Sequence, residues 1–250
     1  MILQINNLSF KYKSRPVIEG VSFSVREGEI LSILGRNGAG KTTLLKCINR
    51  ILTPGQGSVT VKEQETAQMS GLELARIFGW VPQHAEMTMM KVFDLILLGR
   101  KPHFKWAPTT ADYMKVEEVI ALTGIEDIAL RYADELSGGE FQQVQIARAL
   151  AQDPTVILFD EPTSSLDIYN QHRLMRMIVS VISSSHRSAI MAMHDLNLSL
   201  RYSDSFLLLK DGEIWAAGGK EVITAENIRA VYGMEVRVED IDGHLIVIPL

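Results

Sequence analysis

The feature that most constrains this chain is a short apolar run, Ile30-Leu31-Ser32-Ile33-Leu34, that leads directly into Gly35-Arg36-Asn37-Gly38-Ala39-Gly40-Lys41-Thr42, with Thr43 next. A run apolar at nearly every position reads as a strand buried on both faces, the mark of the middle of a parallel sheet. The glycines let the backbone turn tightly, so that successive N–H groups point inward. Leu44, Leu45 and Ile48 then fall on one side of a helix over roughly 41–50. Strand, glycine-rich loop and helix in this order match the P-loop pattern. The inward N–H groups and the positive helix start suit phosphate oxygens. Lys41 is placed to reach the β- and γ-phosphates, and the Thr42 hydroxyl to coordinate Mg²⁺. The motif predicts a nucleoside triphosphate and leaves the reaction open.

A second strand narrows it. Val156-Ile157-Leu158-Phe159 is apolar throughout and delivers two carboxylates, Asp160 and Glu161, at its end. Ligands in open α/β sheets sit at the carboxyl ends of strands. Asp160 suits the Mg²⁺ shell. Glu161, one residue on, suits the attacking water, either as general base or as the group that positions it. A third motif, Leu136-Ser137-Gly138-Gly139-Glu140, opens a helix running to about 151. Ser137 suits its N-cap, and the two glycines leave N–H groups uncovered, which makes a second anion site. One triphosphate needs one cradle. The economical reading is that this second site closes over a nucleotide held by another copy, two copies sandwiching two nucleotides about a two-fold axis.

Composition fits that reading. The chain has 250 residues, 46% hydrophobic and 22% charged, enough for a sizeable core without staples. The net charge of −5, without a dense basic run, argues against a nucleic-acid partner. Cys47 is the single cysteine and lies on an apolar helical stripe, so it reads as a core residue of a chain kept in a reducing compartment. The first residues carry no charged leader, and no run of about 20 apolar residues occurs, so neither a signal peptide nor a membrane span is expected. A membrane link would pass through a partner protein.

Period-2 patterning in Leu3, Ile5, Val21, Phe23 and Val25 predicts antiparallel strands before residue 34. Further strands are predicted near 59–61, 79–81, 156–159, 189–193, 206–209 and 213–216, with helices near 166–183 and 195–202. The expected organisation is an α/β core over 1–84 and 153–223, a helical lobe inserted over 85–152, and a tail over 224–250. That tail is predicted to hold a helix near 225–232 and two strands.

Taken together, these motifs resemble the ABC-type nucleotide-binding domain over nearly the whole chain. The resemblance implies a P-loop NTPase (RecA-like) fold with a parallel sheet, N-terminal antiparallel strands and an inserted helical subdomain. It implies ATP and Mg²⁺ as ligands and ATP hydrolysis as the activity. Tyr12 stands where the family's aromatic stacks on adenine. Gln83, after Trp80-Val81-Pro82, matches the glutamine that meets Mg²⁺ and water. Ser164-Ser165-Leu166-Asp167 resembles the loop that reaches the opposing subunit, which puts Asp167 at the shared site. His194, in Met193-His194-Asp195, matches the switch histidine that contacts the γ-phosphate. Implied partners are a second copy, integral membrane permease subunits and, indirectly, a periplasmic or surface solute-binding protein. The implied location is the cytoplasmic face of the inner membrane.

Leu97-Leu98-Gly99-Arg100-Lys101-Pro102-His103 and Val231-Tyr232-Gly233-Met234 resemble the importer branch for iron-siderophores, haem, vitamin B12 and related chelates. Arg100 and His103 read as residues that shape the helical lobe, and Met87, Met89 and Met90 as packing residues for a partner. Two departures stand out. The signature ends in Glu140 where the family carries Gln, and Ser165 stands where relatives carry Ala or His. Glu140 is expected to face away from the nucleotide. Alternatives are an exporter ATPase, an ABC-type ATPase without a transporter and a regulatory module that binds ATP without turnover; the last is disfavoured by Glu161 and His194.

Overall fold

The computed structural model describes residues 1–185 and 187–250. In chain order the strands are β1 (Leu3–Tyr12), β2 (Arg15–Val25), β3 (Ile30–Leu34), β4 (Gln56–Val61), β5 (Gln64–Glu65), β6 (Phe78–Val81), β7 (Val156–Asp160), β8 (Ser188–Ala192), β9 (Ser205–Lys210), β10 (Glu213–Gly218), β11 (Val236–Ile241) and β12 (His244–Pro249). The helices are α1 (Lys41–Ile48), α2 (Gly71–Ile77), α3 (Val92–Leu97), α4 (Thr110–Thr123), α5 (Gly138–Ala151), α6 (Ile168–Ser185), α7 (Leu196–Tyr202) and α8 (Ala225–Tyr232). They form two units: residues 1–68 with 188–250, and residues 69–187.

In the first unit, β1 runs through an antiparallel sheet ordered β2-β1-β4-β5. Its alternation buries Leu3 and Ile5, and a register shift after Ile5, with Asn7 at φ 48°, brings Leu8 into the core as well. Leu3 lies opposite Val25 on one neighbour and Val61 on the other, and Ile5 opposite Phe23 and Val59. Such cross-strand apolar pairs stabilise a sheet and fix its register. The apolar run Ile30–Leu34 is β3. All five of its residues are buried, with β8 parallel on one side and β9 parallel on the other. Its one polar member is satisfied: Ser32 Oγ lies 2.7 Å from Ser203 Oγ. β10 pairs antiparallel with β9. Helix α1 buries Leu44, Leu45, Cys47 and Ile48. Burial pushes the Cys47 thiol up to about 12, so it stays a neutral core residue. The tail is α8 followed by the β11–β12 hairpin.

In the second unit, β6 runs parallel to the wholly buried β7. Helix α2 lies where sequence patterning placed none. A capping box starts it: Ser70 N–H and O–H both donate to the Glu73 carboxylate, at 2.7 Å each. The S-x-x-E spacing of Ser70 and Glu73 is its sequence signal. The α4–α5 region is knitted by polar bonds. Arg100 Nε donates to Asp112 Oδ1 at 3.0 Å and Nη1 to Ala151 O at 2.8 Å; His103 Nε2 lies 2.8 Å from Gln152 O. Burial raises the Asp112 pKa, but bonds from Thr109 and Arg100 outweigh it and hold the carboxyl below the usual range. Arg100 and His103 thus tie neighbouring segments of this unit together. Helix α6 faces the core with Leu174, Met175, Ile178, Val181 and Ile182, one helical stripe. Met87 and Met89 are exposed, free of the core and open to a partner.

Candidate functional site

The phosphate loop lies between β3 and α1 in the first unit. Two of its glycines are dictated by close approach. A Cβ on Gly35 would sit 2.3 Å from Leu209 O. Gly40, with φ of 105°, would place one 2.7 Å from Ile18 Cδ1 and 2.9 Å from Val17 O. Real Cβ atoms do not approach backbone so closely, so only glycine holds this turn. Arg36, Asn37 and Gly38 are exposed at its tip, while Ala39 and Gly40 are buried at its base. Lys41 is buried, and its Nζ donates to Gly35 O at 2.8 Å and Arg36 O at 3.3 Å. A buried ammonium held over its own loop is a cation positioned for anionic oxygens. Thr42 is half-buried on the first turn of α1 and Thr43 is buried beside it.

Two further candidates belong to this unit. Tyr12, at the end of β1, is 47% exposed, and its ring meets Phe10 edge-to-face at 4.8 Å between centroids. That contact orients an exposed aromatic. His194 is exposed between β8 and α7. Asp195 caps α7 by accepting Leu198 N–H at 2.9 Å, which fixes the chain just past the histidine.

The second unit holds the carboxylates. Asp160 is the last residue of β7 and is buried. Glu161 follows in the left-handed region, φ 53°, uncommon outside glycine. Its Oε2 accepts from Gln83 Nε2 at 2.6 Å. The strained backbone and the glutamine bond fix where the carboxylate points, and such strain concentrates at functional sites. Gln83 and Glu161, 78 positions apart, are thus one constellation.

The signature helix start also lies in this unit. Ser137 caps α5, as its sequence position predicts. Glu140, however, does not face away. Its carboxylate folds back over the helix start and accepts from Ser137 N–H at 2.8 Å and Ser137 Oγ–H at 2.6 Å, with Arg131 Nη1 at 3.6 Å. The reason is the S-x-x-E spacing of a capping box, the same signal that starts α2. Ser137 and Glu140 line a cavity of about 250 Å³ with Gly138, Gly139, Asp167 and Arg173. Asp167 is exposed and committed to the start of α6, accepting from Asn170 N–H at 2.9 Å and Nδ2–H at 2.8 Å. Those bonds lower its pKa. Sequence reasoning missed Arg173; its signal is the three-residue helical spacing from Asn170 that turns both side chains to one face.

The donor chemistry fits a triphosphate with Mg²⁺. The tight packing of Gly35 against Leu209 and of Gly40 against Val17 and Ile18 holds the loop in its turn, Gly38 faces open space at the tip, and the loop's buried cation is Lys41. Among the described residues no three His, Cys, Asp or Glu side chains converge as a metal cage. The Thr42 hydroxyl in the first unit and the Asp160 carboxylate in the second are each the hard oxygen donor that Mg²⁺ takes together with phosphate oxygens and water.

Comparison with known proteins decides the family. The family model for ABC transporters matches residues 18–164, from β2 through the phosphate loop, Gln83, the signature and the β7 carboxylates. The chain belongs to the ABC transporter family. It is an ATPase of that family, binding ATP with Mg²⁺. An uncharacterized ABC transporter ATP-binding protein of Methanocaldococcus jannaschii is 50% identical over all of this chain and 98% of its own length. A cobalamin import ATP-binding protein of Halobacterium salinarum is 35% identical over all of this chain and 64% of its own. A petrobactin import ATP-binding protein of Bacillus subtilis is 30% identical over 98% of each. Among solved structures, an inward-facing metal-chelate type ABC transporter matches with a TM-score of 0.86 and 28% identity, covering all of this chain and 97% of that one. A dimeric, post-hydrolysis ATP-binding cassette bound to ADP and Pi matches at 0.76 and 26%, over 87% and 98%.

Proposed function

We propose that this ABC ATPase powers an importer for a metal chelate or a related small solute, working as a pair of copies on the cytoplasmic face of the membrane. The single observation that carries hydrolysis is Glu161, held in a left-handed backbone and bonded to Gln83 at 2.6 Å. The relatives named for cobalamin and petrobactin import, and the metal-chelate transporter, support the cargo class. Among the described residues no helix is long and apolar enough to cross a membrane, so attachment would run through permease subunits, with a solute-binding protein upstream. Residues 85–152, with exposed Met87 and Met89, form the lobe proposed to meet the permease.

Each residue has a role toward ATP. Tyr12 stacks on the base, a contact worth roughly 1–3 kcal/mol. The N–H groups of 35–42 cradle the phosphates, and Lys41 exchanges its loop carbonyls for phosphate oxygens. Thr42, Asp160 and Gln83 would hold Mg²⁺, which when bound would neutralise phosphate charge. Glu161 orients and deprotonates the attacking water, with Gln83 fixing its carboxylate. His194 contacts the γ-phosphate. Ser137, Gly138 and Gly139 of the second copy close over the same nucleotide, and Asp167 lines that shared face. Positioning and electrostatics carry the reaction, since phosphoryl transfer needs little covalent help.

Glu161→Gln is the test. It keeps the side-chain shape and should retain ATP binding, trap an ATP-bound pair and lower turnover by about 10²–10⁴-fold. Turnover at the unmodified rate would remove Glu161 from its role.

A further inference from the structure

The stretch Val231-Tyr232-Gly233 has no part in the nucleotide motifs, yet it lies against the phosphate loop. Tyr232 is the last residue of α8. Its hydroxyl is buried against the Gly35 backbone, close enough to feel it but outside hydrogen-bonding geometry, and it has no other partner. Burial pushes the phenol up to about 12, so the group stays neutral. Gly233 follows in the left-handed region, φ 71°, where a Cβ would meet Arg36 Nη1 at 3.7 Å. The last turn of α8 therefore backs Gly35 and Arg36. Those are the two residues whose carbonyls hold Lys41 Nζ, at 2.8 and 3.3 Å.

The tail is tied down again at its far end. Asn197 Nδ2 donates to Val247 O at 3.1 Å, and Val247 N–H donates to Asn197 Oδ1 at 2.8 Å. Asn197 lies in the first turn of α7, three residues past His194. A reciprocal amide pair fixes both distance and rotation, so β12 clips the helix that starts two residues after His194.

We infer that the C-terminal tail is a brace for the phosphate-contacting groups: Tyr232 is a positioning residue for Lys41 through Gly35, and Asn197, clipped to Val247, is one for His194. The inference rests on the proposed roles of Lys41 and His194 toward ATP. Its physical content is a bond exchange. When Lys41 turns from the carbonyls of Gly35 and Arg36 to a phosphate, the loop gives up the ammonium that held it. A side chain whose buried hydroxyl end lies against the Gly35 backbone limits how far the cradle can shift through that step, and geometry lost by an ångström there costs orders of magnitude in rate.

The test uses the full chain, fluorescent ATP-analogue titration and steady-state ATPase kinetics, with a thermal melt as fold control. Tyr232→Ala is expected to weaken ATP binding about tenfold. Tyr232→Phe, which keeps the ring and loses only an unpartnered hydroxyl, should stay within about twofold. Asn197→Ala should lower kcat about tenfold with ATP affinity within about twofold. Wild-type affinity in Tyr232→Ala, a loss in Tyr232→Phe as large as in Tyr232→Ala, or wild-type kcat in Asn197→Ala overturns the brace. Should Tyr232→Ala fail to fold, Tyr232→Leu keeps the apolar volume without the flat ring, and wild-type affinity there overturns it equally. An unmodified chain that neither binds nor hydrolyses ATP would instead refute the roles of Lys41 and His194 themselves.

Discussion

Glu140 sits on the donors that the signature helix should offer to a nucleotide, and removing its charge has a calculable effect. Its carboxylate accepts from Ser137 N–H and Oγ–H at 2.8 and 2.6 Å. A phosphate oxygen competing for the same two hydrogens would lie about 4–5 Å from that carboxylate. Two like unit charges at that distance repel by about 1 kcal/mol in water and about 4 kcal/mol at an effective dielectric of about 20. The side chain is 35% exposed and can swing into solvent, so the lower figure applies, about 1 kcal/mol per site. A closed pair has two such sites, which gives about 2 kcal/mol, or roughly thirtyfold in closure. Gln at this position keeps the capping box and drops the charge. Glu140→Gln, placed in the Glu161→Gln background so that the pair accumulates, should dimerise about thirtyfold more tightly with ATP, read by light scattering on a sizing column. Equal dimerisation of the two chains across the ATP titration would refute the reasoning. The pH dependence has a fixed sign. The Ser137 side-chain bond, then its backbone bond, hold Glu140 below the ordinary carboxylate range. The folded value therefore lies below the unfolded one. The stability this box contributes is complete above the unfolded pKa and is lost as pH falls through the depressed folded pKa. At neutral pH the charge is present. Below the folded pKa the original and the glutamine chain should converge.

Arg100→Ala leaves the Asp112 carboxylate buried without its guanidinium; a loss of about 3 kcal/mol is expected, seen as a fall of roughly 6–12 °C in Tm, and a shift under about 1 °C would show that Thr109 alone satisfies Asp112. Cys47 should resist iodoacetamide in the folded chain at neutral pH and react on unfolding, because burial keeps its thiol neutral at about 12; rapid native labelling, followed by mass spectrometry, would contradict that burial.

Much of the fold could be read from the chain because local chemistry dictates it. A strand buried on both faces must be apolar throughout, which marks β3 and β7. A tight phosphate turn must be glycine-rich, and Lys41 must follow it at the start of a helix. Helix α2 was just as legible in Ser70 and Glu73, yet its seven residues show only one buried position, so apolar periodicity gave no signal. Ser137 and Glu140 show the same spacing, and the capping box it encodes turns the Glu140 carboxylate back over the helix start.

The sequence alone determined the phosphate loop, the carboxylate strand and the signature helix, because each is a contiguous segment whose backbone needs impose residue types at fixed spacing. Tertiary structure decided what meets across the chain: Gln83 with Glu161, 78 positions apart, Asn197 with Val247, 50 apart, and the Tyr232 hydroxyl with the Gly35 backbone. Such contacts leave no periodicity behind them. Their partners are chosen by the course of the whole backbone, and only once that course is laid does a buried hydroxyl or an exposed amide acquire a meaning.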